Sequence, residues 1–217
     1  QLNTAVAGFA VSPDDQRIAF DNLGDPQEDI WIMNADGAGL RRLTNDMAKD
    51  RDPVWSPDGK EIAFYSDRGP GPYNIWAIQA DGSGLRQVTN FHAAWNVQTP
   101  GYFDGGRKIL LSPTGGPAAW IQASASMQTT KPTVFPGMEG LGWIVLRPRN
   151  PLPDPREDDL WLGYQRHSIG LKIFLYRMST GSVEQVDLIG ADPQWLPGQK
   201  QFLFLRDSNL LMYDRTA

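Results

Sequence analysis

Two pairs of segments along the chain repeat the same order of apolar and polar positions. Residues 29–45 read DIWIMNADGAGLRRLTN, and residues 74–90 read NIWAIQADGSGLRQVTN. VSPDDQRIAF at 11–20 and WSPDGKEIAF at 55–64 match in the same way. Because two independent segments give nearly the same spacing, the pattern predicts an internal repeat of about 45 residues.

Each repeat predicts four short strands joined by tight turns. In the second copy the strands are expected near 53–56, 61–66, 74–79 and 85–89. Asp-Gly between apolar runs is a strong hairpin signal, and it occurs in SPDG and in ADGSG. The second and third strands are apolar on both faces, which is typical of a sheet packed between two neighbouring sheets.

The later copies are weaker but keep an apolar residue in the third predicted strand. The aligned positions are Trp31, Trp76, Trp120, Phe174 and Leu211, and the three tryptophans are predicted to be core. A repeating four-stranded unit of this length predicts an all-β protein, a β-propeller of about five four-stranded blades.

The fifth copy ends before an outer strand, and the opening QLNTA is similar to RLTN and QVTN of the first two copies. Residues 1–4 are therefore predicted to supply that strand and close the ring, which leaves no exposed sheet edge. On this interpretation residues 1–217 form a single propeller domain. The alternative is a fragment of a larger propeller or multidomain protein.

Composition narrows the classes of function. The chain has 22 Gly and 17 Pro, which favours many turns over long helices. A net charge of -5 without a basic run argues against nucleic-acid binding. The absence of Cys excludes disulfides and thiolate metal sites. No membrane span and no signal peptide are predicted within these residues, and the oligomeric state is not indicated.

The pattern SPDGKEIAFYSDR followed by NIWAIQADGSGLRQVTN resembles the TolB-type β-propeller repeat family, most strongly over residues 11–90. The resemblance implies a WD-like bacterial propeller in a periplasmic or extracellular setting, although the WD-repeat signature itself is absent. The shared residues are turn and core residues, so the resemblance identifies a fold rather than a function.

The sequence contains few candidate catalytic residues. No G-x-S-x-G occurs, so a peptidase domain of the hydrolase type is not predicted. Asp52 and Asp192 each precede a proline at the start of an innermost strand, near the expected channel. Such carboxylates could hold a cation or act as an acid/base pair; the alternative is that they orient the turn. No catalytic residue, metal ligand set or cofactor is predicted.

The loops expected on one face of the propeller carry aromatic and arginine side chains, the usual anchors of protein interfaces. Trp95 is the strongest candidate, and its alternative role is to fill a gap between blades. Together with the two channel aspartates, the predicted binding residues are Arg51, Asp52, Arg68, Tyr73, Phe91, His92, Trp95, Arg166, His167 and Asp192.

A proline-rich segment, RPRNPLPDPRED at 147–158, interrupts the repeat where a short hairpin is expected. It is predicted to project on the opposite face, either as a docking element or as a tolerated insertion. The sequence thus predicts a non-catalytic protein- or peptide-binding scaffold. The alternative is a propeller-fold carbohydrate-active or metal-dependent hydrolase, or a sugar-binding module, that acts through the central channel.

Overall fold

The fold is all-β throughout the part of the chain that the structure describes. A computed structural model describes residues 5–22, 27–69, 71, 73–91, 97–113, 116–124, 132–139, 144–147, 159–167, 170–196, 201–207 and 209–215. The strands within these ranges form five antiparallel sheets that follow one another in chain order.

The first two sheets have four strands each, in the order in which the strands occur along the chain. The first sheet consists of β1 (Val6–Val11), β2 (Arg17–Asn22), β3 (Ile30–Asn34) and β4 (Arg41–Arg42). The second consists of β5 (Asp50–Trp55), β6 (Glu61–Ser66), β7 (Asn74–Gln79) and β8 (Arg86–Gln87). The predicted second and third strands of the second copy are confirmed at 61–66 and 74–79.

The third and fourth sheets also have four strands, and the fifth has three described strands. The third consists of β9 (Val97–Phe103), β10 (Lys108–Pro113), β11 (Ala119–Gln122) and β12 (Thr133–Val134). The fourth consists of β13 (Ile144–Arg147), β14 (Leu160–His167), β15 (Gly170–Arg177) and β16 (Ser182–Ile189). The fifth consists of β17 (Ala191–Trp195), β18 (Gln201–Arg206) and β19 (Asn209–Asp214).

Each sheet has two different ends. The turns between its first and second strands and between its third and fourth strands lie at one end, called here the turn end. The connections from second to third strand, and onward to the next sheet, lie at the opposite end, called the loop end. This arrangement follows from the antiparallel order of neighbouring strands in each sheet.

The SPDG turn shows how the sequence sets a turn end. The Ser56 hydroxyl donates to Asp58 Oδ1 at 2.7 Å and accepts from the Glu61 N–H at 2.9 Å. Gly59 has φ +67°, a conformation that glycine adopts without steric cost. The first copy has Asp15 at this position with φ +58°, and aspartate is one of the residues that tolerate it.

The core lies between successive sheets, as the two-sided apolar strands predicted. Between the first and second sheets, Ile32 packs in one cluster with Trp55 and Phe64. Between the second and third, Ile75 packs with Tyr102 and Ile109. Two further clusters join the third sheet to the fourth and the fourth to the fifth. Since no sheet of this size buries both faces alone, the stacking stabilises all of them.

The alignment of the third copy is wrong by one residue. In the strand pairing, Ile121 takes the position that Ile78 has in the second sheet. Trp120 is therefore one position away from that of Trp76. Trp76 packs toward the first sheet, whereas Trp120 packs toward the fourth. A shift of one residue moves a side chain to the other face of a strand. Trp31, Trp76 and Trp120 are also half-buried rather than fully buried.

Blade number and ring closure stay predictions. Residues 1–4, expected to close the ring, lie outside the described residues, as do residues 148–158 of the proline-rich segment. That segment connects β13 to β14, the first and second strands of the fourth sheet, where a short hairpin was expected. In the described structure Phe9 on the first sheet is 70% exposed and Leu210 on the fifth is 64% exposed.

Candidate functional site

The loop end of the second sheet brings several predicted binding residues into one neighbourhood. Arg51 lies on β5, Tyr73 directly precedes β7, and Phe91 follows β8. All three are half-buried, so each supports the fold while keeping part of its surface exposed.

Arg51 is held by a carboxylate from the first sheet's second-to-third connection. Its guanidinium pairs with Glu28, with Nη2 donating to Oε1 at 2.7 Å and Nε donating to Oε2. This bidentate pair lowers the pKa of Glu28 and raises that of Arg51. Both groups therefore stay charged, and the pair fixes the direction of the arginine.

Two tyrosines and Phe91 form the aromatic part of the neighbourhood. The ring of Tyr73 meets that of Tyr65 edge-on, with 5.2 Å between centroids. Burial raises the pKa of Tyr65 to about 12; the Asp52 carboxylate adds to this effect and the Arg51 guanidinium opposes it. The Phe91 N–H donates to Asn74 Oδ1 at 2.8 Å, which fixes the backbone where the chain leaves the sheet.

Arg68 is mostly buried, with 10% of its side chain exposed. It pairs with Asp50, lies 3.0 Å from Asp46, and stacks 5.1 Å from the centre of the Trp76 ring. Burial raises the pKa of Asp50 to about 6, although the Arg68 charge opposes the shift. Arg68 thus supports the floor of the loop end and offers little surface to a partner.

Asp52 lies in a β-bulge of β5, with φ +50°. Its N–H donates to Asp21 Oδ2 at 2.9 Å, while Asp21 Oδ1 accepts from the N–H groups of Ala7 and Gly8 at 3.0 and 2.8 Å. The buried Asp21 carboxylate therefore fixes the start of two inner strands. A Cβ at Gly8 would lie 2.8 Å from Asp52 Oδ1 and 3.2 Å from Asp52 Cα, so a larger residue there would displace the Asp52 side chain.

The five other predicted residues have side chains outside the described part of the chain. His92 and Trp95 lie outside the described residues. Arg166 and His167 end β14 and Asp192 lies on β17, but their side chains lie outside the described part. Among the residues that the structure describes, no group of three or more His, Asp or Glu side chains is placed to hold a metal ion. Nor do those residues include a helix of the length and apolarity that crossing a membrane requires.

Sequence reasoning missed Glu28 and Tyr65, which lie against Arg51 and Tyr73. It also missed a cleft between the second and third sheets, whose floor holds Glu61, Arg86 and Tyr102. One signal was available for the cleft. Glu61 takes the place of Arg17 in the aligned repeats, and this reverses the charge at one position of a turn end.

Comparisons with known proteins give relatives for part of the chain. The family profile described as the TolB beta propeller domain matches residues 2–134. The Tol-Pal system protein TolB of Anaeromyxobacter dehalogenans is 50% identical over 48 residues, which is 22% of this chain and 11% of that protein. That of Desulfosudis oleivorans is 36% identical over 58 residues, which is 27% of this chain and 13% of that protein.

Solved structures share the fold over almost the whole chain. The crystal structure of TolB from Acinetobacter baumannii superposes with a TM-score of 0.78 at 15% identity, covering 98% of this chain and 52% of that one. The tricorn protease superposes with a TM-score of 0.66 at 11% identity, covering 99% and 25%. The chain thus spans about half the length of that TolB structure, and its matches to the curated relatives cover a much smaller share of them.

Proposed function

The chain belongs to the TolB β-propeller domain family, and from this premise we propose that it is a non-catalytic scaffold that binds a protein or peptide partner. The observation that carries the proposal is the grouping of Arg51, Tyr73 and Phe91 at the loop end of the second sheet. Arginine and aromatic side chains are the usual anchors of protein interfaces, and these three keep part of their surface exposed.

The proposed binding surface extends from these residues to neighbours in the sequence. His92 follows Phe91 directly and Trp95 lies four residues after it, and both are included as anchors. Arg166 and His167 end a second strand, so the strand order places them at the loop end of the fourth sheet. Arg68 and Asp52 support this surface from below.

The setting is part of the same proposal. The relatives are named as proteins of the Tol-Pal system. We therefore propose that this chain acts in an exported bacterial setting, periplasmic or extracellular, and that its partner is a protein of that compartment.

The rival function, a hydrolase or sugar-binding module in the channel, has no comparable support. It requires the Asp52 and Asp192 carboxylates to converge on a ligand, and the side chain of Asp192 lies outside the described part of the chain. The neighbouring Asp21 carboxylate accepts hydrogen bonds from three backbone N–H groups. Its role is therefore to hold the backbone at the bulge.

A capture experiment tests the surface. Immobilised protein is incubated with a bacterial periplasmic extract, and bound proteins are quantified by mass spectrometry for the native chain and for Trp95→Ala. A second variant combines Arg51→Ala with Glu28→Ala, so that neither charge is left without its partner. Both variants should lose the proteins that the native chain enriches, while their melting temperatures show that they fold.

The control is Arg215→Ala, which removes an exposed arginine that follows β19 at the turn end and should leave capture intact. If both loop-end variants enrich the same proteins as the native chain, the proposed surface is wrong.

A further inference from the structure

A cleft of 570 Å³ lies at the turn end between the second and third sheets. One wall is the SPDG turn with Lys60. The opposite wall is the turn at 105–107, and Gln79, Gln122 and Ser124 complete the lining. The volume falls in the range of about 300–1,000 Å³ that ligand pockets have. The cleft is at the opposite end of the sheets from the surface proposed above.

The floor of the cleft is a hydrogen-bonded triad. Tyr102 OH donates to Glu61 Oε1 at 2.6 Å, and Arg86 Nη2 donates to Oε1 and Oε2 at 2.8 and 3.0 Å. Arg86 also donates to the Ala123 carbonyl at 3.2 Å, across the cleft. Burial, followed by the Glu61 charge, raises the pKa of Tyr102 well above its usual value, so the hydroxyl stays protonated. The floor is therefore rigid and its charges are balanced.

The equivalent place between the first and second sheets is filled. There Arg17 replaces Glu61, and its Nη2 donates across to the Gly59 carbonyl at 2.9 Å. Its guanidinium also covers the ring of Trp55, 4.6 Å from the centre. Glu61 instead bonds to Arg86 on its own sheet and to Tyr102 on the third sheet, so the two sheets are bridged at the floor while the space above it stays open.

The inner end of the cleft is shaped by a glycine. Gly106 has φ +83°, and a Cβ there would lie 3.1 Å from Cδ of Pro57. The two turns that wall the cleft therefore approach each other closely, and this fixes its width at one end.

The rim carries two exposed cations. The side chains of Lys60 and Arg107 are 78% and 72% exposed. Lys60 Nζ is 3.9 Å from Asp58, and Arg107 pairs with Asp104 on its own turn. Exposed pairs of this kind are weak, so either cation can turn toward a ligand. Lysine and arginine outnumber carboxylates among the lining residues, although the whole chain has a net charge of -5.

We propose that this cleft is a second binding site, which takes a short acidic peptide segment of a partner protein. Carboxylates of the segment pair with Lys60 and Arg107 at the rim. Amide groups of its backbone meet the side-chain amide of Gln122 and the side-chain carbonyl of Gln79, whose Nε2 donates to Glu61 Oε2 at 3.3 Å.

The test uses fluorescence anisotropy with a fluorescein-labelled peptide Gly-Asp-Glu-Asp-Glu-Gly and its counterpart Gly-Asn-Gln-Asn-Gln-Gly. The acidic peptide should bind the native chain saturably, and its neutral counterpart about tenfold or more weakly, since charge-assisted hydrogen bonds are lost. The double variant Lys60→Glu with Arg107→Glu should weaken binding by a similar factor. The matched control, Lys49→Glu with Arg206→Glu, makes the same charge change at exposed loop-end positions and should bind like the native chain.

A second variant tests the cleft without changing its charge. Gln122→Trp places a large side chain at an exposed lining position and should block the peptide while the melting temperature stays unchanged. The proposal is overturned if the acidic peptide fails to saturate the native chain, or if both cleft variants bind it as the native chain does. Either failure leaves the loop-end proposal standing, because that proposal is tested with different residues and a different readout.

Discussion

The interface between the first and second sheets and the one between the second and third use the same strand positions with side chains of different size. At the first interface Trp55, Phe64 and Ile78 pack against Ile32. At the second interface the strand pairing places Tyr102, Leu111 and Ile121 at the three corresponding positions, packed against Ala77. Smaller residues at three of these four positions leave less side-chain volume between the sheets.

The two interfaces show how a repeat can keep one fold while its surface varies. Both interfaces bury apolar side chains along the strands, which stabilises the stack. They differ at the turn end, where Trp55 and Arg17 fill the space at one interface. Tyr102 and Glu61 leave a cleft at the other. Substitutions can separate these two effects.

The largest effect is expected for Trp55→Ala. Trp55 is fully buried, and its Nε1–H donates to the Ala10 carbonyl at 3.1 Å. Removing it should lower the free energy of unfolding by about 3–5 kcal/mol, measured by urea denaturation. Tyr102→Ala should cost less, because water from the adjoining cleft can enter the space. An equal or larger loss for Tyr102→Ala would contradict the contrast between the interfaces.

A smaller effect is expected at the loop end of the first interface, from Asp50. Its pKa is raised from 3.8 to about 6 by burial, so between these pH values the folded state binds more protons than the unfolded state. The free energy of unfolding should therefore fall as pH rises from 4 to 6, by up to about 3 kcal/mol. Asp50→Asn should flatten this slope in urea titrations at several pH values. Asp36→Asn, at an exposed turn position, controls for net charge. A slope unchanged by Asp50→Asn would rule out this carboxyl as its source.

The smallest effect is expected for Tyr102→Phe, which removes the hydroxyl that donates to Glu61. A hydrogen bond to a charged acceptor contributes about 1.5–3 kcal/mol to stability, and the loss here should lie at the low end because Glu61 keeps its two bonds from Arg86. The matched control is Tyr176→Phe, whose hydroxyl donates to the Pro136 carbonyl, a neutral acceptor, at 2.8 Å. Its loss should be the smaller of the two in chemical denaturation. The reverse order would show that Glu61 draws little stability from this contact.

Much of the fold could be predicted because the repeat combines local signals with a period. Turn residues such as Ser56 and Asp58 act on their own backbone, and alternation along β6 and β7 places side chains on both faces. The third copy shows the limit of such prediction. Trp120 was aligned with Trp76, and only strand pairing revealed that the two face opposite neighbours.

The candidate site was predictable only as a neighbourhood. Connections between antiparallel strands had to meet at one end, so Arg51, Tyr73 and Phe91 could be grouped from sequence. The exposed fraction of these side chains could not be predicted, because it depends on contacts with residues from other segments. Glu28 pairs with Arg51, and Tyr65 packs against Tyr73. Arg68 looked like a surface anchor in sequence and is mostly buried in the structure.

The repeat, the short strands and the turns follow from the amino-acid sequence alone, because they depend on residues close together in the chain. The sequence also placed the proline-rich segment between two strands of the fourth copy. Which side chains fill an interface and which leave it open depends on how neighbouring sheets pack. The cleft exists because Tyr102 and Glu61 come together from adjacent sheets. The volume left between two packed surfaces depends on residues that are distant in the sequence, so it cannot be predicted from a local pattern.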